Sequence, residues 1–255
     1  MKKSIFILCI VLCFSLFLQN CGGAYSRASE TPDKQLLRAV YNGNLQRVKK
    51  LVNSGVRVNN ETGDISPLIL ACQENHSDIA RYLISKAADV NATSIKMTTA
   101  LMRAAQKGMK EIVLLLISKG ANVKAKDRKG ATAIFYASIG GNAEIVEILI
   151  KHGANVNTIG IKRGTALVLA IVKGHVKVIR VLLKNRINLN VADQNGRTPL
   201  MYAAYYQRPE IVKLLLKYRA KVNLLSNLDE TALSVAKKKG NTLIVKLLKA
   251  AGATE

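Results

Sequence analysis

A chain of 255 residues that is 49% apolar is long and apolar enough to bury a substantial core, which argues against disorder. It carries 39 Lys and Arg against 16 Asp and Glu, a formal net charge of +23. The basic residues are scattered along the whole length, so a strongly basic partner is disfavoured.

The amino-terminal segment differs from everything after it. Met1, Lys2, Lys3 and Ser4 form a short positive start, and residues 5–18 are an almost uninterrupted apolar run, too short for a typical membrane-spanning helix. This pattern predicts a secretory signal over residues 1–20. Leu18, Gln19, Asn20 and Cys21, followed by Gly22 and Gly23, resemble the lipobox of bacterial lipoproteins, in which an apolar residue stands three before a cysteine. Asn20 departs from the small residue of the strict pattern and fits the more permissive boxes of spirochaete lipoproteins. The resemblance implies lipidation at Cys21 and anchoring to a bacterial membrane, facing periplasm or cell surface. Acyl chains there would contribute about 0.8 kcal/mol per buried methylene. The alternative is secretion, with cleavage after Gly22, Gly23 and Ala24. Residues 21–32, with Ser26, Ser29 and Thr31, read as a short tether. Cys9 and Cys13 fall in the apolar run, so Cys72 is left as a lone core cysteine with no bridging partner.

From residue 66 the sequence repeats at a fixed interval. Ser66, Thr99, Thr132, Thr165, Thr198 and Thr231 are each 33 residues apart, as are Leu68, Leu101, Ile134, Leu167, Leu200 and Leu233, and again Ala71, Ala104, Ala137, Ala170, Ala203 and Ala236. Thr198 is suited to cap a helix and Pro199 to occupy its first position. Gly108, Gly141, Gly174 and Gly240 fall where that helix must reverse, a place for a left-handed backbone, whereas Asn75 and Gln207 hold the same register without glycine. A second helix shows apolar residues at i, i+3 and i+4: Ile112, Leu115 and Leu116; Ile145, Ile148 and Leu149; Ile211, Leu214 and Leu215. Each contributes about 1.5 to 3 kcal/mol when fully buried, but one two-helix unit cannot offset its own ordering entropy, so stability must come from stacking.

Thr198, Pro199, Leu200, Met201, Tyr202 and Ala203 match the helix-opening T-P-L-x-x-A of the ankyrin repeat, and the chain resembles that family over about residues 33–253. The resemblance implies an all-α solenoid of about seven helix-turn-helix units with β-hairpin fingers. Its domain covers residues 33–255, divided at about 33–65, 66–98, 99–131, 132–164, 165–197, 198–230 and 231–255. Runs such as Gly120, Ala121, Asn122 and Val123, leading to Asp127, Arg128, Lys129 and Gly130, resemble the family's finger. Arg186 and Arg219 replace its glycine in later copies, and residues 158–164 lack the fingertip aspartate. The last helices carry Lys237, Lys238, Lys239, Lys246 and Lys249, a polar cover for the end of the stack.

Catalysis needs a placed acid, base, nucleophile or metal. The chain has 3 histidines. His76 and His175 share one register and, like His152 before Gly153, are expected to bond nearby backbone. No Cys or His pair has zinc-ligand spacing and no Gly-rich loop has a phosphate-binding context, so neither a cofactor nor an enzymatic activity is expected. Glu111, Glu144 and Glu210 share a solvent-facing register on the second helix.

In ankyrin proteins the partner lies against the concave face, built from fingertips and exposed positions of the first helices. By register that face takes in Gln106 and Lys107, Arg128, Lys129 and Tyr136, Lys162, Arg163 and Lys173, then Arg197, Tyr202, Tyr205 and Tyr206, with Lys96, Lys238 and Lys239 extending it. Tyrosines bury large area at low entropic cost, so Tyr205 and Tyr206 mark the strongest positions. The expected function is a monomeric, non-enzymatic scaffold for a protein partner. The alternative is a polyanion, such as acidic lipid, lipopolysaccharide or glycosaminoglycan, bound through the basic surface. Nucleic acid is disfavoured because an exported chain seldom meets it.

Overall fold

A computed structural model describes residues 31–59 and 65–254, with Ile161 described in its backbone alone. The expected signal segment, Cys21 and all but the end of the tether lie outside these residues. Among the described residues fourteen α-helices follow one another as seven antiparallel pairs: α1 (Pro32–Tyr41) and α2 (Leu45–Asn53), α3 (Pro67–Gln73) and α4 (Ser77–Ser85), α5 (Ala100–Lys107) and α6 (Lys110–Ser118), α7 (Ala133–Gly140) and α8 (Ala143–Lys151), α9 (Ala166–Lys173) and α10 (Val176–Lys184), α11 (Pro199–Tyr205) and α12 (Pro209–Lys217), α13 (Ala232–Lys238) and α14 (Thr242–Ala250). The first helix of each pair packs on its own partner and on the first helix of the next pair, from α1 against α3 through to α11 against α13. The result is a linear stack with one continuous apolar core.

Local chemistry starts each first helix. Ser66, Thr99, Thr165, Thr198 and Thr231 each accept the backbone N–H of the residue three ahead, while their own backbone is extended. The reversal after each first helix is left-handed whether or not glycine stands there: Gly141 has φ +77°, and Asn75 and Gln207 adopt φ +66° and +53°. At Gly141 glycine is also needed for space, because a Cβ would come within 2.8 Å of the His175 ring of the next repeat. That ring bonds the Ile139 carbonyl at 3.0 Å, and His76 bonds the Tyr41 carbonyl at 3.2 Å. In the same register Asn142 donates to the carbonyls of Ala105 and Gln106. His76, Asn142 and His175 therefore stitch their repeats to the carboxyl end of the preceding first helix, satisfying carbonyls that the helix leaves open.

The second helices differ in one respect from the expected stripe. Ile112, Val113 and Leu116 are buried, and so are Ile145, Val146 and Leu149, whereas Leu115 and Ile148 are only partly covered. In these two helices the buried stripe thus falls at i, i+1 and i+4, because the second helix meets its own partner helix on one side and the next second helix on the other; in α12 the expected Ile211, Leu214 and Leu215 are all buried, together with Val212. The fingers also differ from extended hairpins. No strand forms among the described residues, and the only bridge is the antiparallel pair Thr93 and Thr99. Each finger after α4 is a tight turn closed by backbone bonds, such as Asp127 N–H to the Ala131 carbonyl or Asp193 N–H to the Arg197 carbonyl.

One core position carries an imperfection. Ser138 on α7 is fully buried and its hydroxyl finds no hydrogen-bond partner among the described residues. Alanine occupies the equivalent position at Ala105 and Ala204, and Cys72 sits in that register too. Ser138→Ala removes the desolvation cost of an unpaired hydroxyl without opening a sizeable cavity. It is expected to stabilise the fold by about 1 kcal/mol, read as a higher denaturation midpoint at unchanged slope.

Candidate partner-binding face

The first helices expose a register that runs through Arg103, Gln106 and Lys107, then Tyr136, Lys173, and Tyr202, Tyr205 and Tyr206, ending at Lys238 and Lys239. Burial separates these residues. Tyr205 and Tyr206 are 45% and 38% exposed, Lys107 and Lys173 are exposed, and Gln106, Tyr136, Arg197 and Tyr202 are partly buried.

Tyr136 and Tyr202 share a structural task that sequence reasoning missed. The Tyr136 hydroxyl donates to Asp127 Oδ2 at 2.8 Å, and the Tyr202 hydroxyl donates to Asp193 Oδ2 at 2.7 Å. The other carboxylate oxygen of each aspartate accepts two backbone N–H groups inside its finger, those of Lys129 and Ala131 or of Asn195 and Arg197. A first-helix tyrosine therefore braces the finger that precedes it. The signal was present in the sequence: in the intervening copy the aspartate register holds Gly160 and the tyrosine register holds Leu169, so the two partners are lost together.

Burial, reinforced by the Asp193 bond, pushes the Tyr202 hydroxyl up to about 12 and also raises that of Tyr136. From the ordinary phenol range, about pH 10, an unfolded chain releases a proton that the folded Tyr202 keeps, so stability declines as pH rises to about 12. Tyr202→Phe should lower the denaturation midpoint at neutral pH, through loss of the brace, and show a shallower decline above pH 10 than the parent.

The exposed rings lie between α11 and α13. Tyr205 and Tyr206 meet edge to face with centroids 5.2 Å apart, and Tyr206 stacks on Tyr202 at 6.5 Å and 11°. Lys239 Nζ lies 4.1 Å from the Tyr205 centroid, a cation–π contact across the repeat boundary. Below the rings, Glu230 accepts from Lys238 Nζ at 2.8 Å and faces the Arg197 guanidinium at 3.9 Å, and the Lys238 bond holds its carboxyl below the usual range. Together with Met201 and Val235 these side chains enclose a groove of about 290 Å³. Its rim is aromatic and cationic, and its one carboxylate is already paired.

The remaining expected residues sit elsewhere. Arg128, Lys129, Lys162 and Arg163 are exposed on the fingers of the middle repeats and do not line the groove. The finger without aspartate forms a short 3-10 turn, Ile161–Arg163, in which Lys162 and Arg163 both adopt left-handed backbone, with φ of +59° and +58°. Cys21 lies outside the described residues. Cys72 is buried, and burial pushes its thiol up to about 12, which leaves it unreactive. No group of three or more His, Cys, Asp or Glu among the described residues is placed to hold a metal ion, and no described helix is long and apolar enough to cross a membrane.

Comparison with known proteins places this geometry in context. A family model described as ankyrin repeats matches residues 36–127, 101–193, 160–226 and 187–254. Protein phosphatase 1 regulatory subunit 27 from human is 45% identical over 60 residues, 23% of this chain and 39% of that protein, and its mouse counterpart is 48% identical over 61 residues. The chain thus spans about two fifths of the length of these relatives. The crystal structure of the human ASB11 ankyrin repeat domain superposes with a TM-score of 0.77 at 27% identity, covering 86% of this chain and 98% of that one.

Proposed function

The chain belongs to the ankyrin-repeat family, whose members serve as binding scaffolds for other proteins, and on that premise we propose the following reading. The protein is a non-enzymatic scaffold, exported and held at a membrane through lipid on Cys21, that grips a protein partner on the concave face of its sixth and seventh repeats. The observation that carries the partner site is the cluster of Tyr205, Tyr206 and Lys239. Two adjacent tyrosines left exposed over a groove, with a lysine poised on one ring, have large apolar area to bury and, among the described residues, no hydroxyl hydrogen bond to give up. Tyr202, whose hydroxyl is engaged, contributes as the wall behind them.

The cationic rim of Arg197, Lys238 and Lys239 favours a partner segment that carries an apolar or aromatic anchor flanked by acidic residues. Export and anchoring are supported by the apolar run of residues 5–18 and the box ending at Cys21. The mass of the mature amino terminus tests the anchor: a diacylated Cys21 sustains it, and an unmodified terminus beyond Ala24 removes it. Affinity capture from native envelope with the parent and with Tyr205→Ala, Tyr206→Ala tests the groove, and identical recovery and affinity would remove these residues from it.

A further inference from the structure

A second surface, separate from the tyrosine groove, runs along the fingers. Three successive fingertips, between α4 and α5, α6 and α7, and α8 and α9, place lysine in one register, Lys96, Lys129 and Lys162, each 33 residues from the next. The fingers are laced edge to edge by backbone. Arg128 N–H donates to the Lys96 carbonyl at 3.1 Å, and Gln194 N–H to the Lys162 carbonyl at 3.0 Å. Between them Gly130 and Gly160 approach so closely that a Cβ on Gly130 would lie 3.4 Å from the Gly160 Cα. The lysines are therefore held in a fixed row.

The composition of this edge is one-sided. Residues 93–97, 126–130 and 159–163 hold six cations, Lys96, Lys126, Arg128, Lys129, Lys162 and Arg163, against one acid. That acid, Asp127, is turned inward onto Tyr136 and its own finger backbone. Among the described residues none of the six cations is in an ion pair. Between them stand large apolar side chains in solvent: Ile95, Met97 and Ile159 are 51%, 48% and 43% exposed. Three of the tip residues, Met97, Lys162 and Arg163, are kept at φ +57°, +59° and +58°, a left-handed conformation that a non-glycine residue adopts at a cost. The next two fingertips, Gln194 to Gly196 and Asn227 to Asp229, have no cation.

We infer that this basic and apolar fingertip row is a docking edge for an anionic bilayer surface, with the lysines on lipid phosphates and Ile95, Met97 and Ile159 entering the headgroup layer. Isolated apolar side chains between unpaired cations have no pocket-shaped partner to fill, but they match an interface in which anionic headgroups alternate with acyl boundary. Electrostatic attraction and shallow insertion act together there, each being weak alone. None of these edge residues lines the tyrosine groove, so the groove stays free, and failure of partner capture at the groove leaves this inference standing.

The chain contains no tryptophan, so Ile159→Trp in the full-length protein gives a single emitter at the edge. Leu114→Trp, on the exposed side of α6, gives a control. With phosphatidylglycerol-containing vesicles the emission of Ile159→Trp is expected to shift to the blue and to be quenched by brominated acyl chains. Leu114→Trp, and Ile159→Trp with phosphatidylcholine alone, should show neither. The probe reads local environment, so a leader that holds every variant at the vesicle does not mask the result. Adding Lys96→Gln, Lys129→Gln and Lys162→Gln should raise the lipid concentration at half-shift about fivefold per lysine removed. An unchanged spectrum at residue 159, an equal shift at residue 114, or a spectral response to soluble heparin without quenching in vesicles would overturn the inference, the last in favour of a soluble polyanion.

Discussion

Leu149→Ala is expected to destabilise the chain by about 2–5 kcal/mol, the cost of deleting a fully buried leucine and leaving a cavity. Leu149 lies on α8, is 0% exposed, and occupies a register in which Leu83, Leu116, Leu149, Leu182, Leu215 and Leu248 are all fully buried. The helix that carries it touches both α6 and α10, so the cavity opens on two repeat boundaries at once. A stack of this kind is held by nearest-neighbour contacts, and a defect in the middle repeat decouples the two ends. Chemical denaturation of the variant should therefore show a lower midpoint and a broadened or split transition. Leu114→Ala, at an exposed position on α6, should stay within about 0.5 kcal/mol of the parent. A sharp parental transition in Leu149→Ala would contradict the stacking account.

The second large effect is on binding. Tyr205→Ala with Tyr206→Ala is expected to weaken the partner at least about 30-fold, since a single hot-spot tyrosine accounts for about 2 kcal/mol or more. The two losses should not add, because the rings touch at 5.2 Å and each positions the other. Conservative replacement by phenylalanine should retain most of the affinity, because the exposed rings rather than the hydroxyls supply the buried area. Lys239→Ala, which removes an exposed cation–π contact worth about 0.5–1 kcal/mol, should cost a few-fold. The fold should be untouched, as both tyrosines are exposed. Titration of the captured partner by fluorescence or calorimetry reads these variants against the parent, and equal Kd values across them would move the site elsewhere.

Much of the stack was legible in the sequence because the same physical constraint recurs every 33 residues. A capping Thr, an apolar stripe and a left-handed reversal are local demands, and each copy repeats them. The bracing of fingers was harder to read. The bond from Tyr202 to Asp193 spans only nine residues, yet register places Tyr202 on the partner face or inward without choosing, and only the path of the finger toward the following helix fixes its hydroxyl. The cross-repeat stitches were hidden for a different reason. Asn190 accepts the Lys221 backbone N–H and Asn223 that of Thr254, partners 31 residues away that meet only after stacking. The burial of Val113 and Val146 was likewise set by the neighbouring helix and not by the helix's own period. At the candidate site, register alone merged the fingertips with the tyrosines, whereas the structure separates a groove from a laced edge.

Recognition through the groove requires a partner seated over Tyr206. A photo-crosslinking benzoylphenylalanine placed at residue 206 of the full-length chain, irradiated in the cells that make it, tests this directly, with the same group at residue 114 as the reference. The expected result is one discrete adduct from position 206, absent from position 114 and displaced by excess unlabelled chain. Identical adducts from both positions, or none from 206 while 114 yields one, would contradict recognition through the groove.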